Sequence, residues 1–424
     1  MSESFFSQLW YRVSGLKPAL KPNLEIALHS YRGAPWYVVR DPVSGKVHRF
    51  SGQSYALIGA MTGGATVADI WKASLDRLKA DAPSQEDVLR LLMQLHQSDL
   101  LLVDSVPLAD ELVERMSKTR RQKRSRYWKN PMSLPLPLFD PDRLLEALAP
   151  LVRGRIGWVW AVLWVVLVGA ALVTLPAHWQ DLTSAGLREI LALGNLAILA
   201  CVYPVVKAIH ELAHGLAAKR FGGEVHETGV MFLVFFPVPY VDASSSAAFP
   251  DKYARALVGA AGILAEIALA AAALFVWAAA EPGLVRDVAY NVMFISGFST
   301  LVVNGNPLLK FDGYFVFCDL LEMPNLGQRA NAWWGNLLRR WLLNSPATNV
   351  RPVSRMEAAI FAVYAPAAFV YRLFVMVGIG LYVAGSYFAI GVALVCWSVI
   401  QGLVMPAYKV VSQFFRDQRL AERR

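Results

Sequence analysis

The chain has 424 residues, of which 56% are hydrophobic and only 17% are charged, and its mean hydropathy is +0.39. A soluble protein of this length carries more charge, so the composition excludes an ordinary soluble globular protein. The formal net charge is +9, and its placement along the chain matters more than its size. The three cysteines form no zinc-like pair, which argues against redox chemistry and against a disulfide framework.

Residues 1–115 are predicted to form a small cytoplasmic α+β domain. Two strand-like runs are separated by PVSG, a hairpin signal: PWYVVRD (35–41) and KVHRF (46–50). Three amphipathic helices and a closing strand are expected after them, near 53–61, 67–80, 85–98 and 99–105. Thr66 and Ser84, each followed three residues later by an aspartate, are placed to cap the second and third helices. This order indicates a winged-helix module.

Residues 116–155 are predicted to be a basic and proline-rich linker. Between Arg115 and Lys129 there are eight basic residues and no acidic one, which favours contact with anionic lipid over a merely solvated linker. Nucleic-acid binding is a weaker third interpretation, and no nucleic-acid partner is expected. Four prolines predict an extended segment at 130–141, and a helix at the membrane interface is expected at 142–152.

Six membrane-spanning helices are expected in the rest of the chain, because runs of roughly 18 or more apolar residues recur there. They are placed near 156–176, 188–218, 254–280, 286–304, 356–384 and 387–405. The first four belong to a predicted membrane core at 156–325, and the others to a C-terminal segment at 326–424 that begins with an amphipathic helix. In the fifth span Pro366 and Arg372 leave an alternative open, a short interfacial helix followed by a span from about 369.

The basic residues predict the orientation of these spans. The loops at 177–187, 281–285 and 385–386 contain no Lys or Arg, whereas the segments on the opposite side contain many. Because cytoplasmic loops carry the excess of positive charge, both termini are expected in the cytoplasm. The absence of a signal peptide from the first 20 residues predicts the same. The predicted fold class is therefore a mainly α, polytopic membrane protein with about six spans and a small cytoplasmic winged-helix-like α+β domain.

The heptapeptide IHELAHG (209–215) indicates a zinc site. His210 and His214 are four residues apart, so on a helix they share one face and can bind one zinc ion (Zn²⁺). Glu211 lies beside the first ligand and can act as a general base. Chance is a poor explanation, because placing two imidazoles and a carboxylate in an apolar helix without a purpose is costly.

A catalytic zinc site needs a third protein ligand and an open position. The string NGNPLLKFDGYF (304–315) follows the fourth expected span on the same side of the membrane, and Asp312 is the expected third ligand. Its glycine and proline interrupt the helix, which a membrane tolerates where the freed backbone is buried or lines a wet cavity. Asn304 and Asn306 are placed to hydrogen-bond a substrate backbone or a developing oxyanion. A simple turn at a helix end is the plain alternative for Asp312.

HELAHG on one span and N-x-x-P-x-x-x-x-D-G two spans later resemble the site-2 protease family of intramembrane zinc metalloproteases. The resemblance covers roughly 188–325, and an additional span at 156–176 departs from the family pattern. It implies hydrolysis of peptide bonds within or beside the membrane. The implied roles are zinc ligands for His210, His214 and Asp312, catalytic base for Glu211, and a place near the substrate for Asn304.

The longer string NPLLKFDGYFVFCDLLEMPNL (306–326) is similar to a bacterial branch often called peptide zinc metalloproteases. Members of that branch are commonly fused to, or paired with, an HlyD-type periplasmic adaptor. The resemblance implies a multi-pass protein of the bacterial inner membrane. Because no such domain follows the last expected span, the adaptor is expected to be a separate chain.

The N-terminal domain is similar to PqqD-like peptide-recognition domains. The similarity rests on the order of a hairpin followed by helices and on the pattern TVADIWKASL (66–75). It implies that the domain binds a leader peptide by adding a strand to a sheet edge. A winged-helix scaffold or a DNA-binding domain is the alternative.

Three further features bear on the site. Glu266 lies in the third expected span, where ionisable groups are functional by default, and is expected to bind substrate in the cavity or to pair with Arg372. Residues 230–250 are apolar and broken by prolines, which predicts a re-entrant hairpin whose edge holds an extended substrate. His226 is predicted to be an ordinary interfacial histidine.

The sequence therefore predicts a zinc-dependent intramembrane or membrane-associated endopeptidase. Its substrate is expected to be a peptide or a membrane protein, in peptide maturation and export. The alternative is a non-catalytic subunit with a structural metal, whose spans form a platform for a periplasmic adaptor. The glutamate of the HExxH motif favours the enzyme, because a structural zinc site has no need of it and is usually closed by a fourth protein ligand.

Overall fold

The computed structural model shows a mainly helical protein with small antiparallel sheets. The described residues are 10–42, 47–78, 83–102, 133–184, 193–233, 236–343, 354–386, 388–400, 405 and 408. The predicted basic segment at 115–129 lies outside them. The chain divides into two compact units, Met1–Phe298 and Ser299–Arg424, and each is described by itself.

Strands and helices are numbered here in chain order. The strands are β1 (Ala19–Leu20), β2 (Glu25–Tyr31), β3 (Ala34–Arg40), β4 (Val47–Ser51), β5 (Leu101–Leu102), β6 (Ser133–Phe139), β7 (Thr228–Leu233) and β8 (Phe236–Val241). The helices of the first unit are α1 (Gly52–Ile58), α2 (Val67–Leu78), α3 (Gln85–Gln97), α4 (Asp142–Leu148), α5 (Gly154–Thr174), α6 (Trp179–Ser184), α7 (Leu193–Arg220), α8 (Lys252–Ala279) and α9 (Leu284–Met293). The π-helical segment Phe294–Asn304 crosses the boundary, and the second unit contains α10 (Asp312–Leu320), α11 (Leu326–Leu343), α12 (Arg355–Ser386) and α13 (Phe388–Val399).

The N-terminal part of the first unit is a three-stranded sheet, β2–β3–β4, packed with α1, α2 and α3. The two predicted strands and three predicted helices are confirmed, whereas β2 is an additional strand that the sequence does not predict. The predicted caps are also confirmed. Thr66 accepts a hydrogen bond from the backbone of Asp69, and Ser84 forms a reciprocal capping box with Asp87. The predicted closing strand corresponds to β5, which pairs with β1.

One face of this sheet packs on the short 3-10 helix Ser244–Ala248, which follows β8. His29 of β2 is buried, and its Nε2 lies 3.0 Å from the carbonyl oxygen of Ala248. The guanidinium of Arg255, near the start of α8, lies 5.1 Å from the ring centroid of Tyr31. The N-terminal domain is therefore joined to the segment between β8 and α8 by contacts as well as by the chain.

Four helices among the described residues are long and apolar enough to cross a membrane. They are Gly154–Thr183, Gly194–Arg220, Lys252–Ala279 and Arg355–Gly385. They match the first, second, third and fifth predicted spans. Along α5 many apolar side chains are exposed, including Trp158 and Val162, as expected of a helix whose partner is lipid.

The other two predicted spans have a different form. At 286–304 the chain continues from α9 directly into the π-helical segment Phe294–Asn304. At 387–405 the helix α13 is followed by residues that mostly lie outside the described part of the chain. The count of six spans therefore stays a prediction. In the fifth span, α12 runs through Pro366 as one helix, so the alternative break at that residue is not found.

Charged groups attach α4 to the end of α7. Lys219 is buried, and its Nζ lies 2.5 Å from Oδ1 of Asp142, which also accepts a hydrogen bond from the backbone of Val225. Arg153 pairs with Glu146 of α4 at 2.9 Å. Burial by itself would raise the pKa of Asp142, but the Lys219 ammonium and the Val225 N–H outweigh it, and the pKa of this carboxyl is lowered.

The second unit has its own apolar core between α10, α11 and α12. Met323, Leu326 and Phe361 are fully buried in it. Arg329 of α11 pairs with the buried carboxylate of Glu357 at the start of α12. This core holds α10, which begins at Asp312, against α12.

Candidate metal centre

The two histidines of the HExxH motif lie one turn apart on α7, as their spacing predicts, and both are buried. Their Nε2 atoms face each other at a distance of 3.0 Å. On the far side of each ring, Nδ1 faces an acceptor. His214 Nδ1 lies 2.7 Å from the carbonyl oxygen of Val258, and His210 Nδ1 lies 2.9 Å from Oε1 of Glu266.

This arrangement fits a metal ion. A carbonyl or carboxylate acceptor at Nδ1 keeps the ring proton on that atom, which leaves a lone pair on each Nε2. Two facing lone pairs repel each other unless a cation lies between them. With zinc–nitrogen bonds of about 2.0–2.1 Å, two tetrahedral ligand nitrogens lie about 3.3 Å apart, close to the observed separation. The spacing of His210 and His214 is therefore compatible with a zinc ion between their Nε2 atoms.

Glu211 lies between the two histidines in sequence and is half-buried. Its Oε2 accepts a hydrogen bond of 3.0 Å from the backbone N–H of Val241, the last residue of β8. The strand packs against α7, so the predicted hairpin is present and one of its strands lies beside the predicted base. The sequence does not predict Val241 as a partner of Glu211, because a backbone contact has no side-chain signature.

β8 is an edge strand of the sheet β6–β7–β8. Just beyond it the N–H of Asp242 donates to the carbonyl of Glu227, so alternate residues counted back from Asp242 hydrogen-bond with β7. Pro237, Pro239 and Val241 point their backbone groups away from β7. The prolines have no N–H, so this outer edge offers carbonyl acceptors and one donor, which goes to the glutamate of the HExxH motif.

Glu266 contacts the site from the neighbouring helix α8. It is fully buried, and its Oε1 lies 2.6 Å from Nζ of Lys207 as well as 2.9 Å from His210 Nδ1. Its ionic partner is therefore Lys207, whereas Arg372, the partner considered from the sequence, donates from Nε to the carbonyl of Ala368 on its own helix. The sequence does contain a signal for Lys207, since it is a lysine in an apolar helix one turn before His210.

Gly262 of α8 packs against the ring of His210. A Cβ at this position would lie 2.3 Å from Cε1, 2.4 Å from Nε2 and 2.6 Å from Nδ1 of that ring. These distances are far inside ordinary contact, so α7 and α8 can approach this closely here only because residue 262 has no side chain. The ring of His210 is thus held between Gly262 and Glu266.

The other predicted ligand lies in the second unit, where the chain leaves the π-helical segment. Asn304 Nδ2 donates a hydrogen bond of 2.9 Å to Oδ2 of Asp312. The backbones of Gly305 and Gly313 touch, since a Cβ on Gly313 would lie 2.3 Å from the carbonyl oxygen of Gly305. The loop therefore closes on itself, which explains physically why a glycine follows Asp312. Asn304 orients this carboxylate.

Two tyrosine side chains of α12 hydrogen-bond to backbone carbonyls in this loop and in the π-helical segment before it. The Tyr364 hydroxyl donates to the carbonyl of Pro307 at 2.9 Å, and the Tyr371 hydroxyl donates to the carbonyl of Val302 at 2.7 Å. Polar backbone groups in an apolar setting require such partners. Asn306 Oδ1 accepts from the backbone N–H of Leu308 and so stabilises the turn. A contact between Asn306 and substrate stays a prediction.

His210 and His214 belong to the first unit and Asp312 to the second, so a shared metal ion with Asp312 as the third ligand stays a prediction. No family model, curated protein or solved structure matches the chain. The resemblance to the site-2 protease family therefore rests on the sequence motifs alone.

His226 is exposed and follows the end of α7. Its Nδ1 lies 3.1 Å from Oδ2 of Asp140, and this hydrogen bond raises the pKa of the imidazole. The pKa of Asp140 is lowered, first by the backbone N–H of Asp142 and then by His226. That His226 is an ordinary interfacial histidine stays a prediction.

Proposed function

We propose that this chain is a zinc-dependent endopeptidase of the site-2 protease type, which hydrolyses peptide bonds within or beside a membrane. The observation that carries the proposal is the pair of buried imidazoles, whose Nε2 atoms face each other at 3.0 Å while both Nδ1 atoms face acceptors. Asp312 is the proposed third ligand, as the motif around it implies, and its carboxylate accepts a hydrogen bond from the amide of Asn304. Three protein ligands and an open position are the set that a catalytic zinc requires.

A zinc ion bound there supplies Lewis acidity, which polarises the scissile carbonyl and lowers the pKa of water. Glu211 is the base that takes the proton from the attacking water and delivers it to the nitrogen of the leaving peptide. Its hydrogen bond with Val241 fixes the direction of the carboxylate. Asn304 donates a hydrogen bond to Asp312, and we propose that its amide also contacts the substrate.

The proposed setting is the bacterial inner membrane, with six spans and both termini in the cytoplasm. Four apolar helices of sufficient length support a membrane protein. The absence of Lys and Arg from the three predicted outer loops supports the orientation. In that orientation both halves of the site lie toward the cytoplasmic face, so water reaches Glu211 without crossing the bilayer.

The proposed substrate is an exported peptide or a membrane protein. We propose that the N-terminal domain recruits it as PqqD-like domains do, and that a separate HlyD-type periplasmic adaptor receives the product. The three-stranded sheet and three helices of this domain support the first part. At the site, the outer edge of β8 is proposed to pair with the N–H groups of an extended peptide. Pro237 and Pro239 have no N–H, and the N–H of Val241 already donates to Glu211, so carbonyl acceptors remain.

The substitution Glu211→Gln tests the proposal. Glutamine keeps an oxygen that accepts the N–H of Val241 but cannot take a proton from water, so zinc content should be unchanged while hydrolysis stops. Membranes from cells expressing each variant are compared by mass spectrometry of labelled protein N-termini, a method that works without an identified substrate. New N-termini should arise with the wild type and be missing with Glu211→Gln.

The matched control for this experiment is Glu227→Gln. Glu227 precedes β7, is exposed and accepts a hydrogen bond from the Tyr240 hydroxyl, so it is a glutamate of the same hairpin without a predicted chemical role. This variant should produce the wild-type set of N-termini. The same set from Glu211→Gln would show that Glu211 is not the base.

One observation favours the alternative, a platform subunit with a structural metal. Glu211 is already engaged as the hydrogen-bond partner of Val241, which is a structural role. If that is its only role, Glu211→Gln leaves both the N-termini and peptide export unchanged, whereas removal of the last two predicted spans abolishes export. Loss of the new N-termini in Glu211→Gln excludes this alternative.

A further inference from the structure

We propose that Lys207 and Glu266 form a positioning pair that sets the ring orientation of His210, an inference that rests on the proposed metal site. A single oxygen, Oε1 of Glu266, contacts both partners, at 2.6 Å from Lys207 Nζ and 2.9 Å from His210 Nδ1. Glu266 is fully buried, and the side chain of Lys207 is 12% exposed. The three groups form a chain from a lysine through a carboxylate to a metal ligand.

An ion pair in this position needs an explanation, because it is costly. Taking a carboxylate and an ammonium out of water costs several kcal/mol per ion, and the attraction between them often fails to offset that cost. Here both groups lie on helices apolar enough to cross a membrane, where charged residues are rare and functional by default. An apolar pair of similar volume would stabilise the contact between α7 and α8 at least as well. The pair therefore points to a role other than stability.

The geometry identifies that role. Metal-binding histidines commonly donate their second ring N–H to a carboxylate, which fixes both tautomer and orientation, and loss of such a partner typically lowers metal affinity about 10–100-fold. Oε1 of Glu266 lies 2.9 Å from Nδ1 of His210, on the side of the ring opposite Nε2, which faces His214. Lys207 supplies the positive charge that keeps the carboxylate in an apolar setting.

The two histidines differ in a way that makes the proposal testable. His214 is oriented by a backbone carbonyl, that of Val258, which no substitution removes. His210 is contacted at Nδ1 by the side chain of Glu266, and Gly262 packs against the same ring. Changing Glu266 therefore disturbs one ligand and leaves the other in place.

The experiment compares two double variants of the full-length protein, purified in detergent. Lys207→Met with Glu266→Gln removes both charges and keeps an oxygen that can face His210 Nδ1. Lys207→Met with Glu266→Leu removes both charges and the acceptor. Zinc affinity is measured by competition with a chromogenic chelator, and the ligand set by the visible absorption of the cobalt(II)-substituted protein.

The glutamine double variant should bind zinc with near wild-type affinity and give the wild-type cobalt spectrum. The leucine double variant should bind zinc about 10–100-fold more weakly and give an altered spectrum. Equal zinc affinities in the two variants would overturn the proposal. If the leucine variant does not fold, Glu266→Asp takes its place, because it keeps the charge and shortens the reach toward His210. Wild-type affinity and spectrum in that variant would also overturn the proposal.

Two controls separate this inference from the proposed function. Glu357→Gln changes another buried glutamate with a basic partner, Arg329, and should leave zinc affinity unchanged. His210→Ala removes the ligand itself. Unaltered zinc binding by His210→Ala would contradict the metal site and the proposed function, whereas zinc loss in His210→Ala with full binding in both double variants would contradict only the positioning pair.

Discussion

Adding one methyl group at Gly262 should disable the predicted metal centre although no ligand is replaced. In Gly262→Ala the new Cβ would lie 2.3–2.6 Å from three ring atoms of His210. Ordinary contact begins at 3.4 Å, so the ring has to move by about 1 Å. Glu266 and the backbone carbonyl of Val258 hold the neighbouring groups, so helix α8 cannot yield without disturbing both histidines.

A displacement of that size exceeds what a zinc site tolerates, since ligand distances vary by only about 0.2 Å. Loss of the group that orients a metal-binding histidine typically lowers metal affinity about 10–100-fold. The decrease in Gly262→Ala should be larger, because the ligand itself is displaced. Overpacking lowers the stability of the fold by about 1–3 kcal/mol, whereas replacing glycine by alanine inside a helix raises it by up to about 1 kcal/mol. The protein should therefore fold, and zinc binding should be the property that changes most.

The assay is chelator competition on the purified protein, with thermal unfolding measured in parallel. Gly297→Ala is the matched control, because its Cβ would meet only the Cβ of Ala270, at 3.7 Å, which is ordinary contact. That variant should bind zinc as the wild type does. If Gly262→Ala binds zinc as tightly as Gly297→Ala, the ring of His210 does not lie against α8, and the geometry argued for the site is wrong.

Two further predictions concern stability. The folded-state pKa of Asp142 is lowered, so its pairing with Lys219 stabilises the fold above the unfolded-state pKa and is lost as the pH falls through the folded-state pKa. In Asp142→Asn the denaturation midpoint should therefore depend less on acid pH than in the wild type, and parallel profiles would contradict this. Tyr364→Phe removes the hydroxyl that donates to the carbonyl of Pro307. The free energy of unfolding, measured by denaturation in detergent, should fall by about 1 kcal/mol. An unchanged value would show that the loop needs no such donor.

Local patterns in this chain predicted local structure well. The capping box at Ser84 and Asp87 forms as expected, because both partners lie within one turn. His210 and His214 share a face for the same reason, since helical periodicity alone fixes residues four apart. These features depend on a few neighbouring residues, so the sequence contains all that determines them.

Features that depend on tertiary packing could not be predicted from the sequence. In β2 the buried residues are His29 and Tyr31 while Ile26 and Leu28 are exposed, because the polar face packs on the segment after β8. A hydrophobic pattern cannot identify a strand whose buried side is the polar one. The contact of Glu266 with α7 likewise depends on how two helices pack, which spacing along one helix does not determine.

The contacts of His29 and Arg255 have a consequence for how a substrate would meet the site. They hold the N-terminal domain on the segment that leads back to β8, and the last residue of β8 is the hydrogen-bond partner of Glu211. If the N-terminal domain captures a peptide as proposed, the peptide and Glu211 would belong to one complex, and their encounter would be intramolecular. For short tethers the effective concentration reaches the millimolar range, so even a sequence that Glu211 meets rarely in free solution would be cleaved efficiently.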